Sequence, residues 1–376
     1  MIKVLQFPLR SNRGGIAKYI LENWRFINKN EYTFDFIAFQ KNIDFQDRLL
    51  AEGCRVHYLS CLPRDDKYLF YREINKVFDD GYDVIHLHTS RWTGLELEEI
   101  AMERKVNRVI VHSHNIDIAV PHEDKERYDY FSKQHINIKK EFSQNWKRYS
   151  TSLCACSDLA ARWLFGDELA RSEVHILKNA IDTDTFMYNQ ETRDKYRREL
   201  GLEDNFVIGH TGRFDPQKNH KFILRVFKDI LKALPTASLL LIGMGSCYNE
   251  IRNLAKEYGI LSRIRFMGFR DDVAELMQAM DVFILPSLYE GLGIVLIEAQ
   301  AAGLRCLASS AIPPEAKILL DTRFLPLEED MWISALLEIG KNGYERNDGA
   351  ISVSSAGYSM KESIKTIEKL YHGEYN

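Results

Sequence analysis

The stretch Val282–Gly303, "VFILPSLYEGLGIVLIEAQAAG", reads as one strand, one turn and one helix. "VFILPS" is the strand, "LYEGLG" holds Gly291 and Gly293 in a turn, and "IVLIEAQAAG" carries the helical pattern. A strand passed directly to a helix is the repeating step of a parallel α/β sheet. Two glutamates, Glu290 in the turn and Glu298 about one turn into the helix, interrupt an otherwise apolar run. An ionised carboxylate in such a setting is costly without a partner. The stretch therefore predicts a bound ligand, or at least a helix cap or an ion pair, together with a fold.

Working outward, the same alternation runs on both sides. "FVIGHTG" (206–212), "ASLLLIG" (237–243), "RIRFMG" (263–268) and "RCLAS" (305–309) read as further strands with helical patterns between them. An earlier series comprises "IKVLQF", "TFDFIAF", "RVHYL", "DVIHLH", "RVIVHSH" and "SLCACS". The chain is expected to be α/β, with two doubly wound Rossmann-like domains, residues 1–175 and 176–357. Ile364, Ile367 and Leu370 share one face of a last helical pattern, so 358–376 is expected to pack back onto the first domain.

Composition agrees with that division. The chain has 376 residues, beyond the roughly 250–300 at which one hydrophobic core stops growing. Lys+Arg total 50 against 54 Asp+Glu, a balance that excludes the broad basic footprint of a nucleic-acid binder. No apolar run approaches a bilayer span, and "MIKVLQFPLR" lacks the regions of a signal peptide; the expected location is cytoplasmic. Six scattered cysteines without a CxxC pair read as reduced structural thiols.

In open α/β sheets ligands lie beyond the carboxyl ends of the strands. Gly14 and Gly15 fall where a loop enters a helix, a place where bare backbone N–H groups reach an anion and equally an ordinary tight turn. His112 and His114 end the strand "RVIVHSH", and a neutral histidine there can serve a developing oxygen charge or a sugar hydroxyl; His86 and His88, also at a strand end, read as structural. Arg213 and Lys218 in "HTGRFDPQKNH" flank a Pro-containing turn, so a fork and a point charge could meet one diphosphate. In "FSKQHINIKKEFSQNWKRYS", an aromatic stripe from Phe131 to Tyr149 lies among lysines. It either faces the core or rests on anionic lipid, a peripheral contact through 131–149 that would suit a lipid-linked acceptor. "DTD" at 182–184 follows the linker position and reads as a polar turn, not a metal site.

"EGLGIVLIE" resembles the Glu, seven residues, Glu signature of the retaining glycosyltransferases of family four, which have the GT-B fold of two Rossmann-like domains facing each other across a cleft. "GGIAKYI", "VHSHN", "KNAIDTDTF", "GRFDPQKNH", "LIGMG" and "FMGFRDDV" resemble the family's other landmarks, in order, over nearly the whole chain. The resemblance implies a nucleotide-sugar donor bound by the second domain and a saccharide or lipid-linked acceptor bound by the first, with neither cofactor nor metal required. It implies that Gly15 lets backbone approach the donor's diphosphate, that Arg213 and Lys218 hold that diphosphate as it leaves, and that Glu290 meets the sugar's hydroxyls. Glu298 would hold the ribose, Phe269 and Arg270 would present main chain to the base, and His114 would face the sugar. Gly291, Gly293, Ile294 and Val295 would carry the diphosphate at the helix start. The expected activity is transfer from a UDP-sugar in bacterial surface polysaccharide assembly. A nucleotide-sugar epimerase and a silent nucleotide-sugar-binding module are the alternatives.

Overall fold

The structure, a computed structural model, describes residues 1–10, 15–41, 43, 45–118, 124–343, 345–346 and 348–374. It contains two compact units, Met1–Ala180 with Met360–Asn376, and Ile181–Ser359. The division falls at Ala180/Ile181 rather than at 175/176. The reason is an edge strand, β7 (Val174–Ile176), which is hydrogen-bonded to the first sheet and straddles the expected cut.

The first unit is built on β1 (Ile2–Phe7), β2 (Tyr32–Ala38), β3 (Val56–Tyr58), β4 (Val84–Thr89), β5 (Arg108–Ser113), β6 (Ser152–Ala155) and β7. All pair in parallel in the order β3-β2-β1-β4-β5-β6-β7. The second unit holds β8 (Val207–Thr211), β9 (Ser238–Ile242), β10 (Ile264–Gly268), β11 (Val282–Leu285), β12 (Arg305–Ser309) and β13 (Arg323–Leu325), again parallel, in the order β10-β9-β8-β11-β12-β13. Both are the Rossmann arrangement, with the topological switch beside β1 in one sheet and beside β8 in the other.

Parallel strands covered by helices on both faces must be apolar on both faces. The two-residue strand period shows this directly. Val4, Phe36, Val84 and Ile110 enter one core layer, while their neighbours Leu5, Ile37, Ile85 and Val109 enter the other. In the second sheet Ile208, Leu241, Val282 and Ile284 oppose Val207, Leu240, Phe283 and Leu285.

The helix Met360–His372 buries Met360, Ile364, Ile367, Leu370 and Tyr371 among Val4, Trp24, Tyr32 and Phe34 of the first unit. The helix Lys125–Tyr149 buries Phe131, His135, Phe142 and Tyr149, and Phe142 packs against Trp92 with ring centroids 4.4 Å apart. The buried members of the aromatic stripe thus face the core, and the peripheral membrane contact through 131–149 gains no support from them. One of its lysines is turned inward too: Lys139 donates to the carbonyls of Arg162 (2.8 Å) and Trp163 (2.9 Å), at the last turn of the helix Asp158–Phe165. Among the described residues no helix is long and apolar enough to cross a membrane. All six cysteines are free thiols.

Candidate functional site

In the second unit the site begins where β8 ends. Gly212 and Phe214 donate backbone hydrogen bonds to the carbonyls of Ile242 (2.9 Å) and Met244 (3.0 Å), so the loop after β8 lies directly on the loop after β9. Only glycine permits this. A Cβ on Gly243, whose φ is 134°, would stand 2.1 Å from the Gly212 carbonyl oxygen, and one on Gly245 would stand 2.4 Å from that of Phe214. The pattern "LIGMG" is thereby explained as a close approach of two backbones. Asp215 caps the short 3-10 turn Pro216–Lys218 by accepting from the Lys218 amide at 3.3 Å. Asn219, with φ 54°, then turns the chain into the helix His220–Ala233.

This turn is fastened to the turn after β11. Leu288 donates its amide to the Gln217 carbonyl, and the Gln217 side chain donates to the Tyr289 carbonyl, both at 2.8 Å. Between them, Lys218 Nζ meets Glu290 Oε1 at 2.5 Å, and the Ser287 hydroxyl donates to the same oxygen at 2.6 Å. Lys218 and Glu290 are both largely shielded from solvent, with side-chain exposures of 14% and 9%. Arg213 is different: its side chain is 66% exposed and its Nε lies 3.2 Å from Asp215 Oδ2. The structure therefore unites Lys218 with Glu290, residues far apart in sequence, and leaves Arg213 at the rim with its own carboxylate.

Gly293 (φ 81°) caps the helix Ile294–Ala301, whose first turn contains Ile294 and Val295 and no acidic residue. Its leading N–H groups form the positive end of a helix facing the ligand edge of the sheet. Gly291 lies in the turn before it, and Glu298 is buried in the following turn. After β10, Phe269 is 62% exposed, while the Arg270 guanidinium is held by Asp272 through bonds of 2.6 and 2.5 Å. That contact, with a bond from the Tyr196 hydroxyl, keeps the Asp272 carboxyl down at about 2.

Two further residues of this unit escaped sequence reading. His210 uses Nδ1 to reach the Ile284 carbonyl at 2.8 Å, which leaves Nε2 as a bare acceptor beside Gly212. His220 stacks on Phe214 with centroids 4.0 Å apart. Burial holds both neutral, at about 3 and about 2. They border the quoted motif, yet a histidine in an apolar run carries no signal of which nitrogen is used.

In the first unit Gly15 opens the helix Gly15–Phe26; Gly14 lies outside the described residues. His114 follows β5 and belongs to a chain of four histidines. His88 Nε2 lies 2.7 Å from Gln6 Oε1 and His88 Nδ1 lies 2.9 Å from His114 Nε2. With the Gln6 oxygen facing His88, the His88 Nε2 must carry the proton, its Nδ1 must accept, and His114 must donate from Nε2. A parallel strand of bonds runs from Gln6 Nε2 to the Tyr371 hydroxyl (3.0 Å), on to His86 Nδ1 (3.0 Å), and from His86 Nε2 to His112 Nδ1 (3.1 Å). Parallel register of β4 and β5 places His86 beside Ile110 and His88 beside His112, which is why the rings meet. Burial drives all four histidines below their ordinary value, His86 to about 3. His86, His88 and His112 are close enough to suggest a metal site. Their hydrogen bonding opposes it: the rings of His86 and His112 lie edge to edge, 11° from coplanar and joined at 3.1 Å, and both ring nitrogens of His86 and of His88 already make hydrogen bonds, which leaves neither residue a free lone pair for a zinc ion. Of the two strand-end histidines read as structural, His88 sets the tautomer of His114 through Gln6, while His86 ties His112 to Tyr371.

A putative glycosyltransferase, EpsF of Bacillus subtilis, is 30% identical to this chain over 98% of its length and 96% of its own. The chain belongs to the family 4 glycosyltransferases. The Glycosyltransferase Family 4 profile matches residues 13–185 of this glycosyltransferase, and the profile described as Glycosyl transferases group 1 matches residues 192–325. The first match spans Gly15 and His114, the second Arg213, Lys218, Glu290 and Glu298. A UDP-Gal:alpha-D-GlcNAc-diphosphoundecaprenol alpha-1,3-galactosyltransferase of Escherichia coli is 23% identical over 98% of the glycosyltransferase and 96% of itself. In fold, the glycosyltransferase is similar to HepE of Anabaena, solved in complex with UDP and glucose, with a TM-score of 0.77 and 17% identity, covering 99% of this chain and 100% of that one. That neighbour and the lipopolysaccharide glycosyltransferase WaaG (TM-score 0.73, 16% identity, 99% and 100% covered) share its GT-B architecture.

Proposed function

We propose that this glycosyltransferase moves a hexose-type sugar from a UDP-sugar to a hydroxyl of a saccharide or lipid-linked saccharide during assembly of a bacterial surface polysaccharide, with retention at the anomeric carbon and without a metal. The observation that carries the reading is the Lys218–Glu290 pair, held beside the positive start of the helix Ile294–Ala301 at the carboxyl edge of the second sheet. When a donor enters, its diphosphate competes for the Lys218 ammonium, and Glu290 is released to accept hydrogen bonds from the sugar's hydroxyls. Arg213 turns from Asp215 to the same diphosphate, and Glu298 receives the ribose. As the bond from the anomeric carbon to the diphosphate oxygen breaks, negative charge grows on that oxygen, and two cations and a helix end lie ready to meet it. The acceptor hydroxyl forms the new bond from the same face and passes its proton to the departing phosphate oxygen. Those fixed positive groups do what a divalent ion does in other transferases, so the reading expects turnover unchanged in EDTA.

Donor use by relatives supports the choice of UDP: the Escherichia coli relative is named for UDP-Gal, and HepE was solved with UDP. The test is acceptor-dependent UDP release together with thermal stabilisation by UDP-, GDP- and ADP-sugars. Arg213→Ala and Lys218→Ala are each expected to lower turnover by about 100-fold or more. Near-normal turnover in both variants, or stabilisation by a UDP-sugar that survives in Glu298→Ala, would overturn the assignment.

A further inference from the structure

We infer that Arg64, Arg91 and Arg127 form a second anion-binding site, contained in the first unit, that takes the phosphate or diphosphate of a phosphorylated acceptor. The inference rests on the transferase reading and adds to it the chemical class of the acceptor.

Three guanidinium groups surround one ring. Their central carbons lie 4.0 Å (Arg91), 5.8 Å (Arg64) and 5.9 Å (Arg127) from the centroid of Phe131. The ring attracts each cation by about 0.5–1 kcal/mol but carries no net charge, so it gathers the arginines without neutralising them. Among the described residues, the carboxylates beside them are already engaged. Arg64 Nε is 3.6 Å from Asp65, an exposed pair; Asp124 caps its helix through the Arg127 amide; Asp117 accepts from the Ile118 amide and the Tyr128 hydroxyl. Arg91 donates to the Ile118 carbonyl, and its Nε is buried without an acceptor. Burial first, then the fields of Arg64, Arg10 and Arg127, lower the Arg91 guanidinium from its ordinary value, so the charged groups acting on it are all arginines.

The placement is that of a ligand site. Arg10 follows β1, Arg64 follows β3, Arg91 follows β4, and Arg127 opens the helix after β5. Arg10 and Arg91 lie just past the carboxyl ends of β1 and β4, which flank the switch point, and Arg64 and Arg127 share the Phe131 ring with Arg91. Several planar forks in one place match the oxygens of a phosphate, which can accept from more than one of them. The donor's own diphosphate is already provided for by Arg213 and Lys218 in the other unit, so this cluster is left for an anion on the acceptor.

Calorimetry with inorganic pyrophosphate, performed on the full chain saturated with UDP, tests the site. The expected result is one pyrophosphate bound by the wild type, with affinity at least 10-fold weaker in Arg64→Ala/Arg127→Ala and intermediate in Arg64→Lys/Arg127→Lys, while UDP affinity is unchanged in both. Arg91 is left in place because it supports the loop at Ile118. Farnesyl diphosphate and vesicles of phosphatidylglycerol provide the other arms. Tighter binding of farnesyl diphosphate than of pyrophosphate assigns the anion to a lipid-linked diphosphate; equal binding assigns the site to the phosphate groups alone; binding of the vesicles only, or pyrophosphate affinity unaffected by the double substitution, overturns the site. Loss of UDP binding by the wild type would strike the donor reading and not this one.

Discussion

At the scale of single residues, the Lys218–Glu290 pair serves two ends, and a double substitution separates them. Lys218→Met leaves a nearly buried carboxylate with only the Ser287 hydroxyl, at a cost of about 1–3 kcal/mol. Lys218→Met/Glu290→Gln is expected to regain most of that stability in urea denaturation without regaining turnover. Recovery of turnover together with stability would show that the pair is only structural. This partnership was not legible in the sequence, because nothing in the spacing of "DPQKNH" and "LYEGLG" says that two turns from different strands are stapled through Gln217. The residue types were legible; their pairing depends on the β8–β11 adjacency at the switch point.

At the scale of elements, the loops after β8 and β9 lie so close that they form one support for Arg213 and Lys218. Gly243→Ala is therefore expected to push the Gly212–Asp215 loop outward, lowering stability by several kcal/mol, in line with the cost of forcing a clash into close packing. It should also weaken UDP binding at least 10-fold by titration; unchanged UDP affinity would show that the loop does not set the cations. Most elements were legible here, since the strands identified around β1, β8, β11 and β12 alternate with helices at the expected intervals. The two that were not, β7 and β13, have three residues each and sit at sheet edges where half-exposed side chains show no apolar run. The helix Lys125–Tyr149 shows the converse failure. Its stripe was plain in the sequence, but which surface the stripe faced depended on Trp92 and Phe165, residues that periodicity cannot bring together with Phe142.

At the scale of the whole molecule, buried neutral histidines make the two units unequal in acid. His86, His88, His112, His114 and His135 in the first unit, and His210 and His220 in the second, are all lowered in the folded chain. Each is neutral in both states above the unfolded value near 6.5, so no stability is lost there. As pH falls through 6.5 the unfolded chain takes up protons that the folded chain refuses, and each histidine costs about 1.4 kcal/mol per pH unit until its own folded value is reached. Five such groups weigh on the first unit and two on the second, so the first loses stability more steeply as pH falls below 6.5. The first unit is expected to open at a higher pH than the second. Trp24, Trp92, Trp146 and Trp163 report on one and Trp332 on the other; a single transition seen equally by Trp332 and the rest would contradict this.

The return of the helix Met360–His372 to the first unit carries a consequence for biosynthesis. Tyr371 holds both Gln6 and His86, so this network in the first unit is incomplete until residue 371 has been translated, after the whole of the second unit. The second unit, contiguous from Ile181 to Ser359, has all its strands once that stretch clears the ribosome, and so matures before the unit whose first strand emerged earliest. A chain arrested at Ser359 is expected to yield a protease-resistant second unit and a sensitive first one. A chain ending before Tyr371 would thus fold its second unit while leaving Gln6 and His86 of the first without their shared partner.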